Sequence, residues 1–357
     1  AVGHSAEVPQ MVDSQSHTLP LFAPKREPLL MIMDGNAMIH RSFRAISQQG
    51  HLTVGSTGED ITGVLGFANV FLRALNDWNP AYCAIAFDTP APTFRHERFE
   101  AYKAQRAPSP PELRSQFGRV KQLMEVFGVS IFELDGWEGD DVIGTLTRQA
   151  EEAGVDSIVL TGDHDTFQLI SPKVRIDLSS NIQGRKVYNE EELALRYSGL
   201  TAAQQPDFKA LLGDTSDNIP GVPKVGEKTA ASLLNSYGDL EGIYAHIEEI
   251  TQKAVKASLE EHQDRAFENR TLMTIDRNSP IELDLEKCRF WRYDRRAVVT
   301  LMTELEFFSV IPRVPNPDGP EDFSDVPDRE PDMDVDYTIV QTQSQLDSMV
   351  AAIEEIG

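Results

Sequence analysis

Residues 131–165, IFELDGWEGDDVIGTLTRQAEEAGVDSIVLTGDHD, decide how the rest of the chain is read. GVSIFEL reads as a buried strand, and Glu138, Asp140 and Asp141 follow at the start of a helix. SIVLTG is a second strand, with Asp163 and Asp165 just past its end. Strand, acid-bearing turn, helix and strand make one βαβ unit, whose two acid clusters share one edge of a parallel sheet. Five carboxylates brought that close raise one another's pKa and repel unless cations sit between them. The stretch therefore reads as a divalent-cation site.

The same pattern recurs on either side. LLMIM runs straight into Asp34 and Gly35, and AYCAIAF ends at Asp88. Short apolar runs ended by an acid are how buried parallel strands open onto their turns. VRIDL is a fifth strand, and beyond it the chain is mostly helical. LLGDTSDNIPG adds Asp214 and Asp217 at a helix end. Each of the nine acids alone is ordinary turn or cap chemistry. Caps have no need to converge, however, and in an open parallel sheet the strands' carboxyl ends face one crevice. Hard oxygen donors suit Mg²⁺ or Mn²⁺, and no Cys or His set matches zinc.

The expected fold class is α/β: a mostly parallel central sheet with helices on both faces, followed by a helical subdomain carrying a helix-hairpin-helix type DNA-binding motif. In numbers this divides the chain into a flexible leader (1–28), an α/β core (29–186), a helical subdomain (187–313), an acidic Pro-rich linker (314–335) and the start of a further domain (336–357). Within the core, residues 89–122 mix bases, aromatics and prolines without a continuous apolar stripe, so this segment is expected to stand off the core. Its Arg95, Arg98, Tyr102, Lys103 and Arg106 interleave with Phe94 and Phe99, a composition suited to stacking bases and pairing phosphates. Past Asp217, Gly221 and Gly226 bracket a turn that leads into a helix. Its outward amides, with Lys224 and Lys228, can hold a phosphate backbone without reading sequence.

The 357 residues are 40% hydrophobic, enough for a real core, with a formal net charge of -24. The charge is uneven, since the segment from Pro315 on holds twelve acids against one base. Much of the remainder lies in the nine acids, so the total does not exclude a nucleic-acid partner. Two cysteines give no disulfide framework, and no apolar run is long enough to span a bilayer. The expected location is the cytoplasm, beside the nucleoid, with no membrane contact.

Taken in order, IMDGNAMIHRSF, AIAFDTPAPTFRHERFEAYKAQR, WEGDDVIGTL, LTGDHDTFQLI and LLGDTSDNIPGVPKVGEKTA resemble the successive motifs of the 5′ nuclease domain of bacterial family A DNA polymerases, related to flap endonucleases. The resemblance implies a two-metal, structure-specific phosphodiesterase. Its metal ligands fall on Asp34, Asp88, Glu138, Asp140, Asp141, Asp163, Asp165, Asp214 and Asp217. Its phosphate-contacting and base-stacking residues fall on Arg41, Tyr102, Lys103 and Arg106. The hairpin Gly221, Val222, Lys224, Val225 and Gly226, with Lys228, would grip duplex backbone with a K⁺ ion. Lys103, Arg106 and Asp141 are the expected catalytic residues. The expected substrate is DNA with a free 5′ end, flap, nick or gap, cut by a monomer whose chain continues into polymerase domains serving Okazaki-fragment processing and excision repair. A non-catalytic DNA-binding module and an RNA-cutting nuclease of the related small α/β class are the alternatives.

Overall fold

A computed structural model describes residues 26–48, 50–180 and 184–318. The expected leader and terminal domain, and most of the expected linker, lie outside the described residues. A six-stranded sheet has the order β3-β2-β1-β4-β5-β6. Its strands are β1 (Leu29–Asp34), β2 (Tyr82–Phe87), β3 (Ser130–Glu133), β4 (Asp156–Thr161), β5 (Val174–Ser180) and β6 (Gly184–Tyr188). All pair in parallel except β6, which returns antiparallel along β5. The central strand β1 is buried along its whole length. Leu29, Met31 and Met33 join the core of one face, and Leu30 and Ile32 that of the other. Such two-sided burial is why LLMIM is uniformly apolar and not alternating.

The helices α1 (Gly35–Ser47), α2 (Thr62–Trp78) and α5 (Gln116–Val126) cover the first face, while α6 (Gly139–Glu152) covers the second. Two short helices, α3 (Phe94–Arg98) and α4 (Pro111–Arg114), precede α5. From β1 the chain moves outward to β2 and β3, then returns to β4 on the other side of β1. The crevice therefore opens where the strand order reverses, between the ends of β1 and β4.

Residues 89–122 stand off the core only in part: residues 104–108 and 110–112 are exposed. Leu113 and Val120 pack in the first core, however, and Arg95 and Tyr102 are each 3% exposed. Ion pairs and contacts with distant segments, invisible in a local apolar stripe, bury these parts of the stretch.

After α7 (Glu190–Arg196) a separate cluster forms from α8 (Gln205–Leu212), α9 (Glu227–Tyr237), α10 (Leu240–Ala245), α11 (Lys253–Glu261) and α12 (Gln263–Met273). Two boundaries differ from expectation. The sheet runs on to Tyr188, past residue 186, because β6 hydrogen-bonds to β5. The last part of the expected helical subdomain also returns to the α/β core: Phe290, Trp291, Tyr293 and α13 (Arg295–Glu304) pack beside β1 and β2. These aromatics complete an apolar face that the first strands leave open.

Candidate active site

Asp34 ends β1 and also caps α1, its Oδ1 accepting from Ala37 N at 2.9 Å while Thr161 Oγ1 donates to Oδ2 at 2.7 Å. Asp163 caps the 3-10 turn after β4 in the same way, accepting from Asp165 N at 2.9 Å. Asp88 accepts from Gly139 N at 2.6 Å, and a Cβ at Gly139 would stand 3.2 Å from that oxygen. The cap chemistry is therefore real, and it holds each carboxylate at the strand ends. Eight of the nine acids, namely Asp34, Asp88, Glu138, Asp140, Asp163, Asp165, Asp214 and Asp217, line one cleft of about 1660 Å³.

The acids feel one another. Burial, outweighing hydrogen bonds from Thr161 and Ala37, pushes the Asp34 carboxyl up to about 7, with Asp88 and Asp163 adding to the rise. Asp140 is raised well above the ordinary carboxylate range by burial and by Asp163, Asp34, Asp88 and Glu138. Asp165 is pushed up to about 7 by burial and Asp163, against the pull of Lys209. Desolvated, mutually repelling oxygen donors are the chemistry that a divalent cation relieves.

Side-chain cations of the chain occupy part of this space. Lys103 Nζ donates to Glu138 Oε1 at 2.8 Å, and an Arg106 guanidinium nitrogen donates to Asp217 Oδ1 at 2.5 Å. The Tyr102 hydroxyl lies 3.1 Å from both Glu138 Oε2 and Asp217 Oδ2 and can donate to one at a time. Lys209 Nζ bridges Asp165 at 2.5 Å and Asp214 at 2.7 Å. Among the described residues no three carboxylates already form a cation cage. Lys209 was missed in the sequence, although a lone lysine in the apolar run before Asp214 was its signal.

Asp141 departs from expectation. It is fully buried and does not line the cleft. Both its oxygens meet Arg95, at 2.7 and 2.8 Å, and also accept from Asp276 N and Glu138 N. Arg95 further donates to the carbonyls of Leu272 and Thr274. Asp141 thus faces Arg95 and not the cleft where it was expected, and Arg95 is not free for DNA. The pair instead ties α3, α6 and the chain after α12 together. Tyr102, similarly, is packed with Ile219, Leu272 and Met273, so its ring face is not open for stacking.

In the hairpin, Gly213 (φ 75°) and Gly221 pass so closely that a Cβ on Gly221 would stand 2.1 Å from Leu212 O. Val222 and Val225 turn their side chains into the helical core, so at these two positions backbone and not side chain is left to meet a partner. Lys224 and Lys228 are exposed, and Gly226, just before α9, gives that helix no side-chain cap. Its first amides are therefore available to an anion.

Residues 29–198 match the 5′-3′ exonuclease N-terminal resolvase-like domain, and residues 200–296 match the 5′-3′ exonuclease C-terminal SAM fold. The chain belongs to the 5′-3′ exonuclease family. It is 43% identical over 283 residues to a DNA polymerase I of Chloroflexus aurantiacus, covering 78% of this chain and 30% of that protein. It is 36% identical over 286 residues to the DNA polymerase I of Bacillus subtilis, covering 80% and 32%. The chain thus spans about a third of the length of these relatives. Its fold is that of T5 5′-exonuclease, solved with divalent metal ions (zinc), at a TM-score of 0.57 and 19% identity, covering 79% of this chain and 99% of that one. It is also that of flap endonuclease-1 from Methanococcus jannaschii, at 0.52 and 14%, covering 80% and 90%. This exonuclease family member has its eight cleft acids at the carboxyl ends of the family fold's strands and at its hairpin.

Proposed function

We propose that this chain hydrolyses DNA phosphodiesters near a 5′ end, on flapped, nicked or gapped duplex, as a metal-dependent 5′-3′ exonuclease and flap endonuclease. One observation carries the reading: eight carboxylates share a cleft with Lys103 and Arg106, which are poised to trade a carboxylate for a phosphate. Asp34, Asp88, Glu138, Asp140 and Asp163 would hold one Mg²⁺ or Mn²⁺ ion, and Asp165, Asp214 and Asp217 a second. Such ions supply Lewis acidity and a low-pKa water at neutral pH.

The chain's own groups do the rest. Lys103 and Arg106 neutralise charge developing on the reacting phosphate, and Arg41 contacts the backbone beside it. The amides of α9, Lys224 and Lys228 grip the duplex backbone without reading bases, with K⁺ at the hairpin. The segment around Tyr102 docks on the turn at 214–218, where Lys103 N donates to Asp217 O and Asn218 Nδ2 to Ala101 O. Cutting then depends on a strand that fits between segment and hairpin.

The natural chain would be a monomeric DNA polymerase I in the cytoplasm, serving Okazaki-fragment processing and excision repair. Among the described residues, no helix is long and apolar enough to cross a membrane. The deciding experiment incubates a labelled 5′-flap duplex with the protein in Mg²⁺ or in EDTA. Short 5′ products in Mg²⁺ alone are expected; binding without a metal-dependent product would favour a non-catalytic module.

A further inference from the structure

The backbone of Lys103 lies in the left-handed region, at φ 52°, a conformation that residues with side chains seldom adopt without an outside restraint. One turn supplies that restraint. It spans residues 215–218 and joins two short strands, β7 (Gly213–Asp214) and β8 (Ile219–Pro220). Just before Tyr102, the Ala101 carbonyl accepts from Asn218 Nδ2 at 2.8 Å; just after it, Lys103 N donates to Asp217 O at 3.0 Å. Further along, Gln105 Nε2 donates to Thr215 O at 2.5 Å and Arg106 Nε to Ser216 O at 3.1 Å. The Lys103 ammonium meanwhile donates to Glu138, the residue that caps α6. Its backbone is thus held by one element while its charge is aimed at another.

Asn218 is itself left-handed, at φ 63°. Asparagine tolerates this conformation better than most residues and glycine tolerates it freely, so the turn alone would be served by either. What the asparagine adds is the amide on Ala101. That bond spans 117 residues of sequence and ties the segment carrying Lys103 and Arg106 to the turn carrying Asp214 and Asp217. Ile219, next in the chain, is 2% exposed and packs with Tyr102, which leaves the turn little room to shift. We propose that Asn218 is a positioning residue for the cleavage step: through the Ala101 carbonyl it fixes the backbone at Lys103, so that the ammonium meets the reacting phosphate beside Glu138. This rests on the nuclease reading above, in which Lys103 neutralises charge on that phosphate. The hairpin at Gly221 begins just past Asn218, so a duplex gripped there and the cation at the acids are set in one register.

The test is a double-mutant cycle on a labelled 5′-flap duplex, cut in Mg²⁺ under single turnover with the protein in saturating excess. Asn218→Gly removes the amide yet keeps a residue at ease with a positive φ, so it should melt with wild type. By fluorescence anisotropy in EDTA it should bind the flap duplex within about twofold of wild type, since no contact to the duplex is removed. Its cleavage rate should nonetheless fall about tenfold. In a Lys103→Ala background the same substitution should cost less than about twofold, because the lysine through which it acts is gone. Gln105→Ala, at an exposed position, removes another bond of the same docking and should show a smaller loss with the same dependence on Lys103. This second variant decides the role if Asn218→Gly melts early. Cleavage within about twofold of wild type in both variants overturns the positioning role, and so does a loss that persists in full without Lys103. Either result leaves the nuclease reading standing, whereas a wild type that binds the flap duplex but releases no product in Mg²⁺ sinks both.

Discussion

At the inner end of the cleft Asp34 and Asp140 crowd against Asp88 and Asp163, and no cation of the chain pairs with any of these four among the described residues. At the outer end Asp165 and Asp214 share Lys209, and Asp217 holds Arg106. The effect on Asp214 is plain: burial alone would raise its carboxyl, but Lys209 and Ser216 hold it below the ordinary range. The inner acids sit at strand ends, where backbone hydrogen bonds and caps prevent them from moving apart. Lys103 and Arg106 draw down Asp88 from a distance, but burial still raises it, and the cluster is relieved further by protons or by cations from solution. At the outer end a lysine whose long stem can withdraw holds Asp214 down but only partly offsets the rise at Asp165. One cleft thus joins a rigid site that demands an external cation to one that keeps a cation of its own.

The comparison breaks most sharply at two neighbours in sequence. Asp141→Ala leaves Arg95 buried without its partner, and the expected loss of stability is about 3–5 kcal/mol. Urea unfolding measures it, and a loss below about 1 kcal/mol would remove the pair from its structural role. Asp140→Asn removes one repelling charge from the rigid end, so the fold should hold or gain stability. Cleavage of a 5′-flap duplex in Mg²⁺ should nonetheless fall by about 100-fold or more. A near-normal rate in a quantitative gel assay contradicts the inner-site assignment.

Lys209→Met tests the outer end. Without the lysine, Asp165 and Asp214 face each other uncompensated, and the metal-free protein should lose about 1–3 kcal/mol. Mg²⁺ should restore more stability to this variant than it adds to wild type, as thermal melts with and without the ion would record. Equal gains would mean that lysine and ion do not compete for the same oxygens.

The smallest effect is on pH. Asp34 and Asp165 titrate near 7 when folded, raised from the ordinary 3.8, so the folded state keeps protons that the unfolded chain has lost. Metal-free stability is therefore greatest below about pH 4 as far as these groups are concerned, and falls as pH rises toward about 7. Melting temperature between pH 5 and 8 should decline, and saturating Mg²⁺ should flatten the slope. A metal-free protein that grows more stable over that range would refute the crowding.

Much of the site was legible because its signals are local. An apolar run closed by an acid states both the strand and the end at which its carboxylate emerges, so Asp34, Asp88 and Asp163 could be placed from their own neighbours. The hairpin was legible from Gly221 and Gly226, and of the two Gly221 stands where the backbone passes too closely for a Cβ. Tertiary structure decided what local pattern leaves open. Asp140 and Asp141 look alike in sequence, but about 100° of helical rotation sends one into the cleft and the other to Arg95, 46 residues earlier in the chain. Val222 and Val225 pack inward because α8 and α9 need a core. The return of Phe290 to Tyr293 beneath the first strands depends on contacts far apart in sequence. Which acids converge could be read from strand ends, but which charges remain unpaired was settled only when distant segments packed together.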